Sequence, residues 1–364
     1  MRNRIGASEG ASTYIMGVCG ASVLASVFMT IMAGRVGSFA GMAISDWIGY
    51  VLMQLAFVGV VFIMGALRKY DAIAVSRLRP STNWKQYLLL PLIAIFTIMA
   101  FLPLANWFVE LVILTGYRGQ SISMPIFDNV GVYFLALLVM AVFPAFGEEL
   151  LCRGILQTGL NTRGVGFGVL MSAFLFSFMH ASPLQTVHQF GIGIVLALVY
   201  ILSGSLVPCI VLHFLNNFIT LTISAYIPEI DNIMITLGNW NYLTGTASVI
   251  VGLFGLAILL YAYYRLGENR KTPIYKVFEN NVIFEDYSIT VSMDGEEKKS
   301  NPFLDTFRFV GSLFTKRGWQ KVSRVLTDKA DVPSLGKKQP MVSVWIATGF
   351  AIFYWVLALV MGYI

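Results

Sequence analysis

Three short polar clusters interrupt otherwise apolar, membrane-type sequence: Glu148-Glu149-Leu150-Leu151-Cys152-Arg153, Phe176-Ser177-Phe178-Met179-His180 and His213-Phe214-Leu215-Asn216-Asn217. A charged side chain at the bilayer centre costs roughly 2.5–3.5 kcal/mol on translocon scales, so a chain that keeps several there puts them to use. Two carboxylates, two imidazoles and an amide are groups from which a water-activating hydrolytic site is built. On a helix, Glu149 and Arg153 are four apart, share a face and can pair, which offsets part of the desolvation of each. Glu148 is turned about 100° away from Glu149. It lacks that partner and suits a general base. Pro144 and Gly147 just before it are placed to break the helix and admit water.

Phe176 and His180 lie one turn apart on one face, and so do His213 and Asn217. In this arrangement Phe176 walls the site. His180, His213 and Asn217 then hold a water, a metal ion or the oxyanion of a tetrahedral intermediate. Each piece also has a plainer reading: the Glu–Arg pair as a packing lock, each histidine as a hydrogen-bonded core group. The chain has only three histidines, however, and two fall in these clusters. The third, His188, sits beside Gln189 near the start of a span and reads as an interfacial residue. No His-Glu-x-x-His zinc helix is present.

These groups must be positioned by membrane helices. The 364 residues are 57% hydrophobic and only 12% charged, with mean hydropathy +0.73, whereas soluble domains carry about 25% charged residues. Apolar runs of the length that crosses a bilayer recur near 13–34, 46–67, 86–114, 130–148, 165–181, 187–203, 205–227, 243–264 and 341–363. The fold expected is an all-α, polytopic transmembrane bundle of about nine spans, multi-pass in its membrane and in contact with lipid. It divides into N-terminal helices (1–129), a core (130–266), a charged cytoplasmic insert (267–340) and a final helix (341–364). The net charge of +6 does not point to nucleic acid, because the basic residues sit mainly between spans, where they set orientation. Arg68, Lys69, Arg77, Arg79 and Lys85 place one loop inside, while 228–242 carries Glu229 and Asp231 and no Lys or Arg. With nine spans the N-terminus is inside and the C-terminus outside. Cys19, Cys152 and Cys209 lie in apolar stretches without metal-type spacing and read as small core residues.

The insert holds more than half of the charged residues. Strand-like composition over 282–291, followed by Met293-Asp294-Gly295, suggests a hairpin, and the segment is either a solvated linker or a docking element for a protein partner. The span boundaries also contain a conflict. They put Glu148 near the inner end of one span and His180 toward the outer end of the next. For the two to meet, a helix must be broken, re-entrant or shifted.

The order Glu-Glu-x-x-x-Arg, Phe-x-x-x-His, His-x-x-x-Asn over roughly 130–225 resembles the CPBP family of intramembrane proteases, which includes the type II CAAX prenyl endopeptidases and bacterial relatives linked to bacteriocin maturation or self-immunity. The resemblance implies that Glu148 activates the hydrolytic water. It implies that His180, His213 and Asn217 position that water and stabilise the oxyanion, with Glu149 and Arg153 as a supporting pair and Phe176 as a wall. It is compatible with a metal-dependent reaction, in which His180 and His213 are ligands of Zn²⁺, and with a metal-free glutamate-and-water reaction. Asn is an uncommon zinc ligand and no thiolate is at hand. The expected activity is an intramembrane endopeptidase acting on a membrane-associated or lipidated peptide or protein. The alternatives are a non-catalytic scaffold or bacteriocin-immunity factor of the same fold and, last, a transporter with Glu148 as its proton site.

Overall fold

The computed structural model describes residues 2–32, 34–81, 83–118, 124–226, 242–267, 302–330 and 340–363. Among them, eight helices are long and apolar enough to cross a membrane. They are α1 (Ala7–Met32), α2 (Ile44–Arg68), α4 (Lys85–Leu114), α5 (Val130–Asn161), α7 (Thr186–Ser203, preceded by a 3-10 turn at Pro183–Gln185), α8 (Val207–Tyr226), α9 (Tyr242–Gly267) and α12 (Val342–Met361). A short helix α3 (Ala72–Ser76) follows α2, and two amphipathic helices, α10 (Pro302–Ser312) and α11 (Lys316–Ala330), precede α12. The only sheet among the described residues is a two-stranded ribbon, β1 (Ser38–Phe39) with β2 (Met42–Ala43). The multi-pass helical bundle expected from composition is what the chain forms. The hairpin expected over 282–295 lies outside the described residues.

Two differences from the expected spans decide where the polar groups sit. The span expected to stop at 148 runs on to Asn161. The span expected at 165–181 is a 14-residue helix, α6 (Val165–Phe178). At 1.5 Å per residue α6 is about 21 Å long, short of the roughly 30 Å apolar core of a bilayer. Together α6 and α7 form a hairpin with its tip at 179–185.

The conflict between Glu148 and His180 is thereby removed. Glu148 stands roughly 20 Å along α5 from its Asn161 end, and His180 roughly 22 Å from the start of α6. Gly164 provides the left-handed turn (φ 123°) between the two helices.

Pro144 and Gly147 do not break α5. A π-helical stretch at Leu138–Val142 precedes the proline, and a second, Leu150–Gln157, follows the two glutamates. Such wide turns recur at functional sites. Close packing holds α5 in place. A Cβ at Gly147 would lie 2.6 Å from Gln54 Oε1, and one at Gly159 would lie 2.7 Å from Gly6 O, so α2 and the start of α1 approach α5 at almost backbone distance. Small residues serve this purpose in membrane bundles.

The two ends of the bundle are distinct. At one end Arg2 N–H donates to Lys69 O and Asp71 N–H to Arg2 O, and at the other Arg118 N–H donates to Gly362 O. The N- and C-terminal segments therefore lie at opposite ends. Cys152 and Cys209 are buried, Cys19 is half-buried, and none is in a disulfide.

Candidate active site

The polar groups of α5, α6–α7 and α8 converge inside the bundle. Arg153 Nη1 and Glu149 Oε1 are 2.6 Å apart, and both side chains are 0% exposed. The same Oε1 accepts His213 Nδ1–H at 2.9 Å, and Arg153 Nη2 donates to Gly193 O at 3.3 Å. The Arg153 guanidinium lies 4.1 Å from the centre of the Phe176 ring, and that ring meets His180 and His213 edge-on at 5.1 and 5.8 Å. Phe176 is thus both a wall and the cover of a buried cation. Glu149 and Arg153 form the pair that their spacing implied, and the pair also orients His213.

Glu148 is treated differently. One oxygen, Oε1, accepts from Gln54 Nε2 at 3.1 Å. The other, Oε2, accepts no hydrogen bond among the described residues and faces His180 Nε2 at 3.8 Å and His213 Nε2 at 4.0 Å. Both imidazoles have their tautomers set from behind. His180 Nδ1 contacts Phe176 O at 2.8 Å, and a carbonyl only accepts, so Nδ1 carries a proton. His213 Nδ1 carries one toward the Glu149 carboxylate. In the neutral rings each Nε2 therefore presents a lone pair to Glu148 Oε2.

Three lone-pair atoms around one gap are the donor types of a His₂Glu zinc centre, with the supporting hydrogen bonds such ligands usually have. Their spacing does not match one. Ligands about 2.1 Å from a tetrahedral ion lie roughly 3.4 Å apart, whereas these pairs are 3.8 and 4.0 Å apart. Among the described residues no group of three or more His, Cys, Asp and Glu side chains is arranged to hold a metal ion.

Asn217, expected beside the histidines, donates from Nδ2 to Met140 O at 3.3 Å. Met140 is the residue four before Pro144, whose missing N–H leaves that carbonyl without its helical partner. One donor of the Asn217 amide thus satisfies the carbonyl freed by the proline. The neighbouring Asn216 is buried, with an unpartnered Oδ1. His188, expected at an interface, lies in the first turn of α7 beside the hairpin tip, and its Nδ1 has no partner among the described residues.

The motifs gave no sign of Gln54. It comes from α2, far in sequence from the three clusters. The available signal was a lone amide inside the apolar run Val51-Leu52-Met53-Gln54-Leu55-Ala56-Phe57, since a polar side chain at membrane depth is a functional candidate in its own right. With the Glu148 side chain 9% and the His213 side chain 5% exposed, the 20% exposure of the His180 side chain makes the hairpin tip the open edge of the site.

No curated protein matches the chain, and no solved structure does. The helices that bring Glu148, His180 and His213 together do have a counterpart: residues 130–219 match the family model of type II CAAX prenyl endopeptidase Rce1-like proteins, in agreement with the resemblance carried by the three motifs.

Proposed function

We propose that the protein is an intramembrane endopeptidase that hydrolyses a peptide bond in a membrane-associated or lipidated peptide, using water activated by Glu148. One observation carries this reading: two imidazole nitrogens face one buried carboxylate oxygen at 3.8 and 4.0 Å, with the far side of each ring already hydrogen-bonded.

The division of labour follows. Glu148 Oε2 accepts a proton from the water as its oxygen attacks the scissile carbonyl. His180 and His213, each with Nε2 within 4.0 Å of Glu148 Oε2, flank the oxyanion that forms. Glu148 then passes its proton to the departing amine. Gln54 holds Glu148 Oε1 so that Oε2 faces the gap, and Glu149, braced by Arg153, holds His213. No step is assigned to a metal, because the separations do not fit one.

The test is cleavage, by the purified protein in detergent, of a pool of membrane-anchored and prenylated peptides. Wild type, Glu148→Ala and Glu148→Gln are compared, each with and without a chelator. The expected result is cleavage by wild type, loss of about 10²–10⁴-fold or more in the variants, and no change on chelation. Loss of activity on chelation, restored by Zn²⁺, would reassign His180 and His213 as ligands. Folded wild type without activity against the pool would favour the scaffold or immunity reading.

A further inference from the structure

The last helix, α12, lies outside residues 130–219 and gives no group to the catalytic gap, yet it grips the hairpin tip that carries His180. Trp355 Nε1–H donates to Thr186 Oγ1 at 2.7 Å, and the indole stacks on Phe178 with centroids 5.3 Å apart and planes at 29°. Thr186 Oγ1–H in turn donates to Ser182 O at 2.9 Å, and Ser177 Oγ–H donates to Thr186 O at 2.6 Å. These bonds cross-brace residues 177–186 around His180.

The segment needs such bracing. His180 lies just past the end of α6, so no regular helix holds it. The next residue, Ala181, has φ 46°, a left-handed conformation that is strained for a side chain with a Cβ. At membrane depth a turn must also find its polar partners within the protein. His180 Nδ1 is tied only to Phe176 O, which fixes the ring relative to α6. Toward α5 the tip is met by Cys152 Sγ, 3.8 Å from Met179 Sδ, and toward α12 by the Trp355 contacts.

We propose that Trp355 is a positioning residue: by holding Thr186 and Phe178 it sets the height and tilt of the hairpin tip and so aims His180 Nε2 at the gap beside Glu148. Its role rests on the reading of that gap as a peptidase site. A displacement of about 1 Å in such a site can lower a rate by roughly 10²-fold. The final helix, which the three motifs do not include, is then a required part of the active site.

Four variants separate positioning from simple packing. Trp355→Phe keeps an aromatic ring on Phe178 but removes the N–H donor. Thr186→Val removes the hydroxyl at constant shape, Thr186→Ser keeps it, and Glu148→Ala reports on the chemistry. Hydrogen–deuterium exchange over 177–186 is measured for each in detergent, along with kcat and KM for a prenylated peptide that wild type cleaves.

The expected result is faster exchange in 177–186 and a roughly 10- to 100-fold lower kcat at unchanged KM for Trp355→Phe and Thr186→Val. The double variant should be no worse than Thr186→Val alone, because that change already removes the Trp355 bond together with the one to Ser182 O, and Thr186→Ser should behave as wild type. Unchanged exchange in both variants would overturn the clamp. Faster exchange with wild-type kcat, where Glu148→Ala is inactive, would overturn the positioning role. Absence of any Glu148-dependent cleavage would instead remove the peptidase reading, and the clamp would then stand or fall on the exchange data alone.

Discussion

The polar centre between α5, α6–α7 and α8 and the helix pair α10–α11 both concentrate charge, and they handle it in opposite ways. In the centre, Glu149 and Arg153 are fully buried and each is bonded to more than one partner. On α11, Lys316, Arg317, Lys321 and Arg324 are exposed, and the helix meets the bundle through Leu326, packed against Val165, Val169, Ala197 and Ile201. Its C-terminal carbonyl, Ala330 O, accepts from Arg77 Nη2 at 2.6 Å, a cation placed where the helix dipole favours one. Exposed charges need nothing from their neighbours, so their positions are loosely constrained. A charge without water must be matched group by group. The strictest geometry is therefore at the centre.

The contrast is tested most severely at Arg153. Arg153→Met leaves Glu149 buried without its cation, and breaking a buried pair in this way costs about 3–5 kcal/mol. Thermal unfolding in detergent should show that loss, and the double change Glu149→Gln with Arg153→Met should recover much of the stability while leaving activity low, because His213 loses its carboxylate. If the single variant melts like wild type, the pair is not the constraint described.

A smaller effect is expected at Gln54. Gln54→Leu removes one donor to a carboxylate, an interaction of about 1.5–3 kcal/mol, and should lower kcat by about 10- to 100-fold with little change in KM. A variant as active as wild type would show that Glu148 needs no support from α2.

The smallest effect belongs to the exposed helices. Trp319 on α11 is 60% exposed. Trp319→Ala should alter stability by no more than about 0.5 kcal/mol and leave kcat within about twofold. A large loss of activity there would mean that α10–α11 takes part in the reaction, and the contrast between the two regions would fail.

Much of this was legible in the chain because it rests on local rules. Hydropathy over about 20 residues marks a span wherever backbone polar groups must be satisfied within the segment. The four-residue spacing of Glu149 and Arg153 fixes a shared face regardless of what surrounds it. What misled was length. Apolar sequence over 130–148 and 165–181 does not reveal that one helix continues through a polar stretch to Asn161 while its neighbour ends at Phe178. Residues such as Gln157 and Asn161 are tolerated there because they are buried inside the protein rather than set against lipid.

The sequence by itself determined that this is a multi-pass helical membrane protein. It determined which charged and imidazole side chains lie at depth, and that Glu149 and Arg153 pair while Glu148 is left for other work. Only the tertiary structure decided that Glu148, His180 and His213 face one another, that Asn217 bonds Met140 O, and that Gln54 meets Glu148 and Trp355 meets the hairpin tip from helices outside the motifs. The physical reason is range. Helical periodicity and the cost of burying charge act over a few residues and leave a signature in the sequence. The depth of a hairpin tip and the approach of α2 and α12 are set by packing between segments far apart in the chain, for which no local pattern exists.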